Sequence, residues 1–195
     1  MRTIVPERTA LLIIDMEQGF VEPGAALCIA GAKATVPAIA RAADEARAAG
    51  IRVIWVKRIY AADYSDMEIP RREGLLARGR LGVLAPDSTG IDSIEEPDGL
   101  VRQEGDWLLI KPRYSAFFKT GLDEKLRAEG IDTVILTGTT TPNCIRSTCY
   151  DAISYDYHVA VLEPCCSSNT EAIQRANMED MARAGAEIRT GIFQK

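Results

Sequence analysis

The sequence predicts an α/β domain of three layers, α/β/α, around a six-stranded, mostly parallel sheet. Six short runs of β-branched and aliphatic residues recur along its 195 positions. Most are apolar at both alternating positions, as strands covered on both faces must be. Helical segments that stop at a glycine lie between them, and such alternation of strand and helix builds a parallel sheet. Residues 1–195 read as one domain, because a single core serves roughly 100 to 200 residues.

Thr9 to Asp15 is the first run, followed by Ile51 to Lys57, Trp107 to Lys111, Asp132 to Thr137, His158 to Glu163 and Ala186 to Thr190. The clearest helix is Val36 to Ala49, with Thr35 as N-cap, Pro37 in the first turn and Gly50 at its end. Gly121 to Glu129, Asn143 to Ser154 and Thr170 to Ala184 fill the later gaps, with Gly130 and Gly185 just past two of the ends. Arg58 to Asp106 breaks the rhythm with prolines, glycines and charges. Connections this long tend to be lids or subunit contacts. Its arginines, Arg58, Arg71, Arg72, Arg78 and Arg80, suit an anionic substrate, although each alone reads more simply as a solvated charge paired to Glu68 or Glu73.

Net charge is −5, so nucleic acid and anionic membrane surfaces, which need a concentrated positive field, are poor partners. A small molecule is the better expectation. Met1 to Glu7 lacks the apolar stretch of a secretory signal, no run approaches a membrane span, and a cytoplasmic location is expected. Five cysteines without a CxxC pair signal neither a disulfide framework nor zinc, and one histidine, His158, cannot make a multi-histidine metal site. Neither metal nor cofactor is expected.

Ligands of open parallel sheets bind beyond the carboxyl ends of the strands. The residues standing there are Asp15, Lys57, Lys111, the segment Gly138 to Cys144, and Glu163. A charge at a strand end is by itself more often structural than catalytic. Cys144 differs because Thr141 suits a cap and Pro142 a first helical position, which puts the thiol in the first turn, where free N–H groups and the helix dipole favour a thiolate. Cys149 falls on the apolar stripe of the same helix and reads as core. Asp15 is the group to take the thiol proton and later activate water, and Lys111 the charge to hold the thiolate and orient Asp15.

The segments LLIIDMEQGFVEPG around Asp15, LLIKPRYSAF around Lys111 and VILTGTTTPNCIRSTCYDAISYDY around Cys144 together resemble the isochorismatase-like cysteine hydrolases, which include nicotinamidase, N-carbamoylsarcosine amidohydrolase, ureidoacrylate amidohydrolase and biuret hydrolase. The resemblance implies a Rossmann-like isochorismatase fold of strand order 3-2-1-4-5-6, a triad of Asp15, Lys111 and Cys144, and a homo-oligomer. It implies a cis peptide between Thr139 and Thr140, which would aim the N–H groups of Thr140 and Cys144 at one oxyanion. It also implies a small amide or ureido substrate cleaved through a thioester. Phe20 matches a family position that often lines the pocket, Tyr114 and Phe117 follow Lys111 closely enough to do the same, with ordinary packing an equal reading for each, and Arg58 is the arginine offered as a substrate contact. Two departures stand out. The stretch Lys57 to Arg80 lacks the histidines of a nicotinamidase metal site, and Glu17 replaces the glutamine of the usual Asp-x-Gln spacing. The competing readings are a vinyl-ether hydrolase of the isochorismatase type, which needs no nucleophilic cysteine, and a non-catalytic thiol-redox or small-molecule-binding module.

Overall fold

The structure, a computed structural model, describes residues 2–194. Strands β1 (Thr9–Ile14), β2 (Arg52–Arg58), β3 (Trp107–Lys111), β4 (Thr133–Thr139), β5 (His158–Ser167) and β6 (Glu187–Arg189) form one sheet in the order β3-β2-β1-β4-β5-β6. Every pairing is parallel. The helices are α1 (Gln18–Val21), α2 (Ala32–Ala49), α3 (Ile69–Ala77), α4 (Leu122–Ala128), α5 (Arg146–Ser154) and α6 (Glu171–Ala184).

Successive side chains of a strand point to opposite faces, and the apolar runs divide on that rule. Leu11, Ile13, Val53, Trp55, Ile135, Ala160 and Leu162 face one way and pack on Val36, Ile39, Ala43 and Ala46 of α2. Ala10, Leu12, Ile14, Ile54, Val56, Val134, Leu136, Val159 and Val161 face the other way, onto α4, α5 and α6 through Leu122, Leu126, Cys149, Ala152, Met178 and Met181. Two cores on one sheet explain why the central runs show no polar alternation.

Three boundaries differ from the sequence reading. Helix α2 begins at Ala32, so Pro37 sits in its second turn and Thr35 is inside the helix, its hydroxyl donating to the Ala32 carbonyl at 2.8 Å instead of capping. Strand β5 runs past Pro164 to Ser167, because β6 pairs only with Ala160 to Leu162 and leaves a free edge, where a proline costs no ladder bond. Cys144 lies in a wide π-type turn, Thr141–Ile145, and the regular helix α5 starts only at Arg146.

The long segment 58–106 is not a loose surface strap. It contains α3, and Tyr60, Tyr64, Met67, Leu75, Val83, Leu84 and Leu100 bury into the α2-side core. Among the described residues, no helix is long and apolar enough to cross a membrane.

Candidate active site

Strands β1, β3 and β4 deliver three groups to the carboxyl end of the sheet. The backbone N–H of Asp15 still bonds the Val56 carbonyl at 2.9 Å, as one more rung of the ladder. Its φ of 53° then turns the chain off the sheet. Aspartate is one of the few residues with a side chain that tolerates this left-handed region, and such turns cluster at functional sites.

Beside this turn, β4 closes on β1. A Cβ on Gly138 would stand 2.0 Å from the Ile14 carbonyl oxygen, and its φ is 109°, so only glycine fits. The next peptide, Thr139–Thr140, is cis. The Thr140 and Thr141 hydroxyls both donate to the Ser167 carbonyl, at 3.3 and 2.9 Å, which pins this loop to the end of β5. Thr141 therefore does not cap the helix as the sequence suggested. The Thr140 carbonyl accepts the N–H groups of Asn143 and Ile145, on either side of Cys144. Single π-type turns of this kind are frequent at functional sites.

Lys111 and Asp15 form a closed ion pair. The ammonium donates to Asp15 Oδ2 at 2.8 Å and to the Arg113 carbonyl at 3.1 Å, and neither side chain is measurably open to solvent. Asp15 Oδ1 is buried with no hydrogen-bond partner, which leaves it free to accept a proton.

Cys144 is 3% exposed. Burial and the Asp15 charge push its thiol above the ordinary range, against the opposing pull of Lys111 and Arg58. The sequence expectation of a thiol lowered by a helix start is thus corrected. Desolvation outweighs the turn. Cys149 is wholly buried, with its thiol pushed up to about 12 mainly by desolvation, and is a core residue.

Further charged groups lie close to Asp15, Lys111 and Cys144. Arg58 is fully buried in β2, not solvated, and donates to Glu68 at 3.0 Å and to the Tyr60 hydroxyl at 2.9 Å. Burial works against its charge, but Cys144, Tyr60, Asp15 and Glu68 together outweigh it and hold the guanidinium above its usual pKa. Its guanidinium carbon lies 4.9 Å from the Tyr114 ring centroid, and that of Arg71 lies 5.9 Å from the rings of both Tyr114 and Phe20. The Nε atoms of Arg58 and Arg71 are buried without partners. Tyr114 and Phe20 thus stand with the arginines, whereas Phe117 does not. Its ring packs on Tyr155 and Tyr157, 5.6 and 5.7 Å away, beyond the far end of α5 from Cys144, and it belongs to the core.

Two further charged side chains belong to this centre. Glu17 is fully buried, and its Oε1 accepts the Arg58 backbone N–H at 2.6 Å. Arg71 had been one charge among many in the long segment. The signal for Glu17 was its spacing, two residues beyond Asp15; nothing in the sequence singled Arg71 out from the other arginines of the segment, since only the fold brings α3 to Tyr114. Among the described residues, no group of three or more His, Cys, Asp or Glu side chains is placed to hold a metal ion.

The chain matches the isochorismatase domain family over residues 9–192. A probable inactive nicotinamidase of Arabidopsis thaliana is 37% identical over 184 residues, spanning 93% of this chain and 92% of that one. The crystal structure of an isochorismatase family protein from Desulfovibrio vulgaris subsp. vulgaris str. Hildenborough is 40% identical, covers 93% of both chains and superposes with a TM-score of 0.85. That of a cysteine hydrolase from Pseudomonas syringae pv. phaseolicola 1448A is 29% identical, covers 96% of this chain and 91% of its own, and gives 0.86.

Proposed function

The chain belongs to the isochorismatase family, and from that premise we propose that it is a cysteine-dependent amidohydrolase that cleaves a C–N bond of a small amide, ureido or N-carbamoyl compound. The observation that carries the reading is the buried Lys111–Asp15 pair, whose partnerless Oδ1 belongs to the carboxylate that acts on the Cys144 thiol.

A resting thiol sets the order of events. Asp15 takes the proton as Cys144 Sγ attacks the acyl carbon, so charge passes from sulfur to the carbonyl oxygen without a free thiolate having to persist in a dry site. The N–H groups of Thr140 and Cys144 receive that oxygen. When the tetrahedral adduct collapses, the C–N bond breaks and Asp15 returns its proton to the departing nitrogen. Ammonia or an amine leaves, and the acyl group stays on sulfur as a thioester. Asp15 then deprotonates a water that attacks the thioester, and its proton goes back to sulfur as the acid is released. Lys111 holds Asp15 in place throughout, and no cofactor enters.

The arginine pair favours a substrate with a carboxylate. Arg58 and Arg71 each have a buried Nε–H without a partner and share the Tyr114 face. Two donors already stripped of water bind an anion at lower cost than hydrated surface charges. The test is an ammonia-release assay over ureido acids, N-carbamoyl amino acids and linear amides, with Cys144→Ala as control. Turnover that depends on Cys144 supports the proposal, and silence across the whole panel retires it.

A further inference from the structure

Glu17 is not needed by the mechanism above, yet it occupies the same buried centre. One oxygen is spent on the Arg58 N–H at 2.6 Å; the other, Oε2, is buried with no partner. The charged groups that face it are Asp15 after β1, Lys57 on β2 and Lys111 on β3, and from β2 it also receives the backbone N–H of Arg58. Two of the three cations at the carboxyl ends of these strands are already committed. Lys57 pairs with Glu96 at 2.8 Å and also donates to the Ile94 carbonyl, and the Arg58 guanidinium pairs with Glu68. That leaves Lys111 as the one ammonium for two carboxyl groups, and it bonds Asp15. Glu17 is thus left without a cation of its own from these strands. Consistently, burial and the Asp15 charge push the Glu17 carboxyl well above the usual carboxylate range, more than Lys111 and Lys57 pull it down.

We propose that Glu17 is a positioning residue that holds a proton: as a neutral acid it leaves Lys111 to Asp15 and Cys144, and its ionisation withdraws that charge and sets an alkaline limit on the reactivity of Cys144. The inference rests on the hydrolytic reading only for its meaning in turnover. The behaviour of the sulfur is measurable without any substrate.

The experiment is the pH dependence of Cys144 alkylation by iodoacetamide, followed by peptide mass spectrometry. Cleavage after Arg146 separates Cys144 from Cys149. In the wild-type chain the profile should bend away from a single ionisation as Glu17 loses its proton. In Glu17→Gln, which keeps an oxygen for the Arg58 N–H and is neutral at every pH, it should follow one ionisation, with alkylation on the order of tenfold faster at alkaline pH, the effect of about one pKa unit. Superimposable profiles for the two proteins overturn the proposal. Should Glu17→Gln fail to fold, the wild-type profile decides alone, since a single clean ionisation there also overturns it. Ammonia release is assayed separately, so absence of turnover with an altered alkylation profile counts against the hydrolase reading and not against Glu17.

Discussion

Lys111 reaches Asp15 across an intervening strand. The two residues stand at the ends of β3 and β1, which are separated by β2, and their 2.8 Å contact is closed to solvent. The pair is therefore a tie between strands that do not hydrogen-bond to each other, as well as the electrostatic centre of the site. A buried pair gains little over apolar residues of the same size but costs heavily when only one partner is removed.

Replacing Lys111 with Met should therefore destabilise the fold by roughly 3 to 5 kcal/mol, because Asp15 is left as a lone buried charge. Lys111→Met with Asp15→Leu should recover much of that loss. Urea melts of the three proteins check the coupling; equal stability of the single and double variants would contradict it.

Cys144→Ala should abolish turnover while changing stability little. The substitution removes one buried sulfur, worth about 1 kcal/mol. Thermal melts beside the ammonia assay separate the two effects.

Gly138→Ala should be among the most damaging single substitutions. The new Cβ would overlap the Ile14 carbonyl, and the left-handed backbone adds about 1 to 3 kcal/mol of strain. Loss of soluble protein, or a melting temperature many degrees lower, is expected; a wild-type melt would show that β4 can move away from β1.

Stability should fall in alkaline solution. Desolvation raises the thiols of Cys149 and Cys165 to about 12 and about 11 in the folded chain, whereas an unfolded thiol ionises near 8.5. Groups with a raised folded pKa contribute stability that is complete below the unfolded value and is lost as pH climbs towards the folded one. Urea midpoints measured from pH 7 to pH 10 should decline, and less steeply in Cys149→Ala.

Arg71→Ala should raise KM for a carboxylate-bearing substrate by roughly 10- to 100-fold, the worth of one charge-assisted hydrogen bond, while a neutral amide of the same size is unaffected. Equal effects on both substrates would place Arg71 in packing alone.

How much of this was legible in the sequence depended on range. The apolar runs fixed the strands because burial on both faces leaves a local signature, and the strand-end positions of Asp15, Lys111 and Cys144 followed from them. The start of α2 was misjudged because Pro37 imitates a helix start, and the end of β5 because Pro164 imitates a strand end, although the free edge accepts it. Neither the burial of Arg58 nor its company with Arg71 and Tyr114 leaves a local trace, since α3 and the turn after β3 meet only in the folded chain. The same holds for the thiol: a turn at Cys144 was readable, but its π-type form and the desolvation of the sulfur belong to the whole site.

The most direct test of the central claim is intact-protein and peptide mass spectrometry during turnover of a substrate from the ureido, carbamoyl and amide panel. A transient acyl mass on Cys144, with ammonia released, and neither adduct nor ammonia from Asp15→Asn, is the predicted result. Ammonia release that survives Cys144→Ala, or an acyl mass that forms undiminished in Asp15→Asn, would contradict the assignment of sulfur and carboxylate as nucleophile and base.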